Sequence, residues 1–367
     1  MVTVPDGHGG NIYAAARELS LPPSRVIDFS ASINPLGPSK RVFRAAASAL
    51  PLTCHYPDPD CRELVRALAS RWALAENHFV IGNGSSELIH LLPRALAIRH
   101  ALILGPTFSE YARALSVQGS RVAYLHATRT DGYQIPLTQA RKALRTSTSR
   151  FDALFLCNPN SPTGQVAPAQ DILDLAGMAA RREVWVVVDE TFVDYCEAYS
   201  VLSAVARNPR LLVLRSFTKF YALPGLRIGY LAGPPEAVAR IRRFQTPWAV
   251  NALAQTAAQA AQEDWRHAQR SLVFMHRERV RLVEALGAIP GLHVFPSAAN
   301  FLLVELPRAL PATYVTQALR QQGLLIRDCS AIPGLTERTI RVAVRTSAEN
   351  RRLVTALRQV LNARREK

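Results

Sequence analysis

Leu214–Leu231 reads LRSFTKFYALPGLRIGYL. A β-rich run ends at Ser216, a turn carries Pro224 and Gly225, and a second β-rich run starts at Ile228, so the stretch predicts strand, polar turn, strand. Outward from it the same rhythm repeats. FVIG from Phe79, ALILG from Ala101, RVAYL from Arg121, FDALFLC from Phe151, VWVVVDE from Val184, LLVLRS from Leu211 and IGYLAG from Ile228 alternate with helical stretches. That alternation predicts an α/β fold, a mainly parallel sheet flanked by helices. After Trp248 the pattern changes to a long Ala/Gln/Arg-rich helical stretch. Separate strands follow at HVFP, NFLLVEL, LLIRDC and TIRVAV, and the chain closes with a helix from Ser347, the pattern of a smaller α+β domain. The first fifty residues hold too little periodic structure to fold alone, and their turns (LPPS, NPLGPS) suggest an arm. The expected organisation is a large domain over 50–250, with 1–49 and 251–367 forming the arm and a small C-terminal domain.

A chain of 367 residues with 49% hydrophobic content can build cores for both domains. No stretch has the roughly 18 apolar residues of a membrane-spanning helix and the N-terminus lacks a signal pattern, so a cytoplasmic protein without a membrane partner is expected. The five cysteines are scattered, with no close pair and no histidines at ligand spacing, which argues against a structural metal. Lys and Arg outnumber Asp and Glu by 44 to 28. The surplus is dispersed along helical faces and at the C-terminus, without a zinc-finger or aromatic RNA-binding pattern, so solvated faces and anionic small ligands are expected and nucleic acid is not.

Lys219 is the centre of the candidate chemistry. An amine beside Ser216 and Thr218, with Arg227 eight residues on, suits an aldehyde cofactor bearing a phosphate: the amine condenses with the aldehyde while hydroxyls and guanidinium hold the dianion. Asp189 ends VWVVVDE, a run hydrophobic enough to be buried on both faces, where a carboxylate needs a cationic partner such as a protonated pyridine nitrogen. It could instead be a turn or capping aspartate. In IGNGSSELIHLL, Gly84, Ser85 and Ser86 would aim backbone N–H groups and hydroxyls at an anion on a helix N-terminus, though a plain capped turn reads the same way.

These elements, with GPTFSEY at 105–111 and CNPNSPTG at 157–164 between them, resemble the fold-type I pyridoxal-phosphate (PLP) enzymes over essentially the whole chain. The resemblance implies PLP as cofactor, Lys219 as its covalent anchor and catalytic residue, Phe108 stacked on the ring, and Asp189 on the ring nitrogen. It implies Gly84, Ser85, Ser86, Thr218 and Arg227 around the cofactor phosphate with Ser216 nearby, and a homodimer in which Tyr56, in HYPDPD, reaches the neighbouring subunit's cofactor. Relatives usually have asparagine where this chain has Ser161, and often tyrosine where it has Phe192. The contact to the cofactor's phenolic oxygen is therefore left to Ser161, Asn160 or water.

Within that superfamily HGGN at 8–11, DFSASINPLGPS from Asp28, QTPWAVNALA from Gln245, IRDCSAIPGL from Ile326 and IRVAVRTSAEN from Ile340 resemble the threonine-phosphate decarboxylases of cobalamin biosynthesis, which are similar to histidinol-phosphate aminotransferases. The implied reaction is decarboxylation of L-threonine O-3-phosphate to (R)-1-aminopropan-2-yl phosphate; the alternative is a histidinol-phosphate or related aminotransferase. Ile33 stands where those aminotransferases typically carry an acidic residue. By family position Arg341 should bind the substrate α-carboxylate, and Arg327, Arg345, His8, Ser32 and Asn34 are candidates for its phosphate. Arg345 could instead cap the last helix, His8 could be a turn residue, and Asn34 a turn former before Pro35. A regulator using such a domain for sensing would need a DNA-binding module.

Overall fold

The computed structural model describes residues 8–146 and 150–363. In chain order its strands are β1 Ile27–Asp28, β2 Phe79–Gly82, β3 His100–Gly105, β4 Arg121–His126, β5 Ala153–Cys157, β6 Trp185–Asp189, β7 Leu211–Ser216, β8 Gly229–Ala232, β9 His293–Val294, β10 Phe301–Glu305, β11 Leu324–Leu325, β12 Arg327–Asp328 and β13 Thr339–Ala343. The α-helices are α1 Ile12–Glu18, α2 Lys40–Ser48, α3 Arg62–Trp72, α4 Gly84–Ala95, α5 Glu110–Val117, α6 Leu137–Thr146, α7 Ala169–Ala180, α8 Pro235–Arg242, α9 Ala252–Glu263, α10 Trp265–Gly287, α11 Ala312–Gln321 and α12 Ser347–Asn362.

The runs read as strands between Phe79 and Gly233 become one sheet in the order β2-β8-β7-β6-β5-β3-β4. Strands β4, β3, β5, β6 and β7 are parallel neighbours, while β8 runs antiparallel to both β7 and β2. Every residue of β5, β6 and β7 is buried, because helices cover both faces; continuous apolar runs are what such strands require. The parallel strands end together. Cys157 on β5 pairs with Asp189 on β6, and Asp189 with Leu214, two residues before the end of β7. In open α/β sheets the ligand crevice lies outside these carboxyl ends.

The second sheet is antiparallel in the order β12-β13-β10-β9 and places Arg327 directly opposite Arg341. The arm is bonded to this half of the molecule: β1 pairs in parallel with β11, Phe29 N–H donates to Leu325 O at 2.7 Å, and Ala343 N–H donates to Phe29 O at 2.8 Å. Arm residues beyond β1 reach the large sheet's side, where Asn34 N–H donates to Lys219 O at 3.0 Å. The arm therefore joins both halves across the crevice.

Candidate active site

Lys219 sits just past the end of β7, in a turn fixed by a hydrogen bond of 2.8 Å between Ser216 Oγ and Thr218 Oγ1 and by Thr218 N–H donating to Ser216 Oγ at 3.2 Å. It lines a cavity of about 400 Å³ together with Ser85, Ser86, Phe108, Cys157, Ser161, Asp189, Thr218, Arg227, Arg327 and Arg341. A volume of that size suits a small cofactor with its substrate. Burial, then the Arg341 and Arg227 guanidinium groups, pull the Lys219 amine down to about 8. It is therefore far more nucleophilic near neutral pH than an exposed lysine.

Asp189 lies on the cavity floor. Its Oδ1 accepts from Thr191 N–H at 2.9 Å and its Oδ2 from Tyr111 O–H at 2.6 Å. Burial pushes the carboxyl up, opposed by these two hydrogen bonds and by Lys219. A cationic ring nitrogen facing it would reverse that balance, since an opposite charge favours the ionised form.

The N-terminus of α4 forms an anion cup against the turn after β7. Gly84 adopts φ +77°, and a Cβ there would stand 2.6 Å from Arg227 Nη2. Gly229 on β8 is equally constrained, since its Cβ would lie 2.6 Å from Ser85 N. Both glycines thus let the helix terminus, its serines and Arg227 converge. Arg227 itself is held at φ +55°, a left-handed conformation that a non-glycine residue tolerates only where surrounding structure imposes it.

Opposite the cup stand Arg341 and Arg327. Arg341 donates from Nη1 to Ser161 Oγ at 2.9 Å and from Nη2 to Ser30 O at 2.8 Å, while its buried Nε has no partner. Neither these two arginines nor Arg227 pairs with a carboxylate among the described residues. The cavity wall therefore carries three guanidinium groups free of carboxylate partners beside the buried Asp189 carboxyl.

The residues singled out from the sequence divide clearly. Lys219, Asp189, Ser85, Ser86, Phe108, Ser161, Ser216, Thr218, Arg227, Arg327, Arg341 and His8 share the cavity wall, with Gly84 directly behind Arg227. Asn160 is off the wall: its amide donates to Pro106 O and Thr163 Oγ1 and accepts from Thr107 Oγ1, all within 2.9 Å, which uses up its polar atoms in holding the loop. Asn34 is also elsewhere. Its side chain donates to Phe220 O and Ser271 Oγ, both at 2.9 Å, so it clamps the backbone after Lys219 in place of facing an anion. Arg345 bonds Asp28 O at 3.1 Å and Glu349 Oε1 at 2.7 Å, bracing the start of α12 against the arm. Ser32 is buried with its Oγ unpartnered, outside the cavity lining. Tyr56 is 78% exposed and stacks on Trp248 at 4.4 Å, away from its own chain's cavity. Phe192 packs edge-on against Phe301 at 4.9 Å and brings no hydroxyl, while Ser161 reaches the cavity bonded to Arg341.

Sequence reading missed Tyr111, Glu110 and Arg113. Glu110 and Arg113 line the cavity, and Tyr111 supports Asp189 from beneath. A tyrosine at helical spacing from Phe108 reads as core, and only its partner 78 residues away shows otherwise.

The donor set fits a phosphorylated pyridine aldehyde: an amine to join the aldehyde, a buried carboxylate for the ring nitrogen, an aromatic wall, and a hydroxyl and guanidinium cup for a dianion. Residues 24–357 match the model of the class I and II aminotransferases, and the chain belongs to that family. Among its relatives, the threonine-phosphate decarboxylase of Salmonella typhimurium is 40% identical over 96% of both chains. The histidinol-phosphate aminotransferase of Roseiflexus castenholzii is 33% identical, over 94% of this chain and 92% of the relative. The crystal structure of L-threonine-O-3-phosphate decarboxylase from Porphyromonas gingivalis superposes with a TM-score of 0.81 at 28% identity, over 92% of this chain and all of that one.

Proposed function

We propose that the chain is a PLP-dependent decarboxylase that converts L-threonine O-3-phosphate to (R)-1-aminopropan-2-yl phosphate, the aminopropanol unit of cobalamin. The observation that carries the reading is that three of the four guanidinium groups lining the cavity, at Arg227, Arg327 and Arg341, pair with no carboxylate among the described residues, while the fourth, Arg113, faces Glu110. One suits the cofactor phosphate; the other two suit a substrate with two anionic groups. The similarity to the Salmonella decarboxylase at 40% identity, against 33% for the aminotransferase, favours decarboxylation over transamination.

Bound in this cavity, PLP supplies the electron sink that accepts the pair released at the substrate Cα. Arg341 grips the α-carboxylate with its free Nε and remaining Nη protons, its orientation set by Ser161 and Ser30. Arg327, directly opposite Arg341 across β12 and β13, and His8 on the arm would hold the substrate phosphate. Fixing both anions would set the orientation of the substrate about Cα, and binding energy from the phosphate would be used to hold the carboxylate in the geometry for its loss. With the carboxylate lost as carbon dioxide, the Lys219 ammonium would supply the proton that Cα then needs.

The active unit in this reading is a cytoplasmic homodimer. Exposed Phe43, Leu50, Leu52, Tyr56 and Trp248 support a subunit contact on the arm side, and no helix among the described residues is long and apolar enough to cross a membrane.

The test is carbon dioxide release from L-threonine O-3-phosphate by PLP-loaded protein, beside transamination of histidinol phosphate with 2-oxoglutarate. Decarboxylation is expected, and Lys219→Ala should abolish it. Transamination without carbon dioxide would replace this reading with the aminotransferase.

A further inference from the structure

We propose that Glu110 is a positioning residue for the substrate's distal phosphate: it latches the arm's His8 across the cavity mouth and, with Arg113, completes the subsite. The inference rests on the phosphorylated amino-acid substrate proposed above.

Glu110 opens α5 and its side chain is 10% exposed. Its two oxygens face two different imidazoles. Oε1 lies 2.8 Å from His8 Nε2 and Oε2 lies 2.8 Å from His90 Nε2, while Arg113 Nη1 approaches Oε1 at 3.6 Å. Hydrogen bonds from both histidines hold the Glu110 carboxyl below its ordinary range against the opposing effect of burial. It is therefore an ionised acceptor, and each imidazole must turn an N–H toward it.

His8 has nothing else to fix it so well. Nearly half of its side chain is exposed, at 47%, and its ring leans on Phe108 at 5.6 Å between centroids. The segment behind it lies flat on the arm: Gly10 N–H donates to Ser30 Oγ at 2.8 Å, and a Cβ at Gly9 would fall 2.4 Å from Ser30 O. That same Ser30 O accepts from Arg341. One continuous path thus runs from Arg341 through Ser30 and the two glycines to His8 and Glu110, along the wall of the cavity. The carboxylate opposes an anion directly, so its use lies in aiming His8 and Arg113: Arg113 keeps guanidinium N–H groups for the phosphate, and His8, whose Nε2 faces Glu110, adds a second donor from Nδ1 in its imidazolium form.

Glu110→Gln keeps the shape and removes the charge that orients both imidazoles. With L-threonine O-3-phosphate it should raise KM about tenfold or more, with a smaller change in kcat, the size expected for a lost charge-assisted contact. The preference for L-threonine O-3-phosphate over L-threonine in kcat/KM should fall by a similar factor. A double-mutant cycle with His8→Ala separates positioning from structure: once His8 is gone, Glu110→Gln should cost clearly less than it does alone, the remainder being its share in aiming Arg113. Calorimetric binding of L-threonine O-3-phosphate to PLP-loaded Lys219→Ala protein, with and without Glu110→Gln, reads the same subsite without turnover. Weakened binding by Glu110→Gln supports the latch even if the wild type transaminates, an outcome that would overturn only the decarboxylase reading. Equal binding by both proteins, an equal loss with both substrates, or additive losses in the cycle would overturn the latch.

Discussion

At Lys219 the structure places a titratable group where its charge is costly. Burial and two guanidinium groups bring its pKa from 10.5 to about 8, and a lysine whose folded pKa lies below its unfolded one destabilises the folded state while both forms are protonated. In the cofactor-free protein the penalty is complete below pH 8 and is relieved as pH rises from about 8 to 10.5, because there the unfolded chain binds the extra proton. Lys219→Met should therefore stabilise the cofactor-free protein at pH 7 by on the order of 3 kcal/mol. Denaturant unfolding of both proteins at pH 7 and pH 10 measures it. An advantage that failed to shrink at the higher pH would contradict the assigned environment. That Lys219, Asp189 and Arg227 belong to one site was legible in the sequence, because each sits in a local pattern whose chemistry is explicit, and the three line one cavity. For Asn34 and Arg345 the sequence left two readings open, and the structure favours the turn former and the brace at the last helix over the anion ligand. Their side chains answer to backbone carbonyls of Phe220 and Asp28, 186 and 317 residues away, and nothing in the local sequence separates a backbone clamp from an anion ligand.

Short elements at the strand ends, more than the strands themselves, turn a buried sheet into a site. The first turn of α5 carries Glu110 to the arm and Tyr111 to Asp189, with Phe108 just before it on the cavity wall. A single turn thus addresses cofactor and substrate sides together. The N-terminus of α4 is more demanding, since Gly84 combines a positive φ with direct packing on Arg227. Gly84→Ala should cost about 1–2 kcal/mol in backbone conformation alone, and the added methyl must also push the guanidinium aside. PLP affinity should then fall more than global stability does. Equilibrium titration with PLP, read beside thermal unfolding of the cofactor-free protein, distinguishes the two effects. A Gly84→Ala protein with wild-type PLP affinity would show that Arg227 can move without consequence for the cup. The β-strands were readable because fully buried parallel strands need unbroken apolar runs. The α5 turn was not, because its polar members find their partners only across the fold.

For the molecule as a whole, the arm is the decisive part. It pairs with β11, clamps the Lys219–Phe220 backbone through Asn34, and supplies Ser30 and His8 to the cavity wall. The segment following it continues to Tyr56, whose ring lies outside its own cavity and stacks on Trp248. If Tyr56 completes the neighbour's cofactor site, as the family resemblance implies, then neither subunit holds a complete site alone. In a symmetric dimer the exchange is reciprocal, because an isologous contact places the same residue of each subunit against the other. That geometry makes a specific prediction for mixed dimers. Lys219→Ala chains lack the amine but can donate Tyr56; Tyr56→Ala chains keep the amine and lack the donated ring. Each parent alone should be inactive or impaired. Refolding equal amounts together should produce heterodimers with one intact site each, recovering roughly a quarter of the wild-type rate if subunits assort at random. Light scattering should report dimers throughout. Activity that never exceeds the average of the two parents, in a sample shown to contain heterodimers, would confine every essential group to one chain and remove Tyr56 from the site.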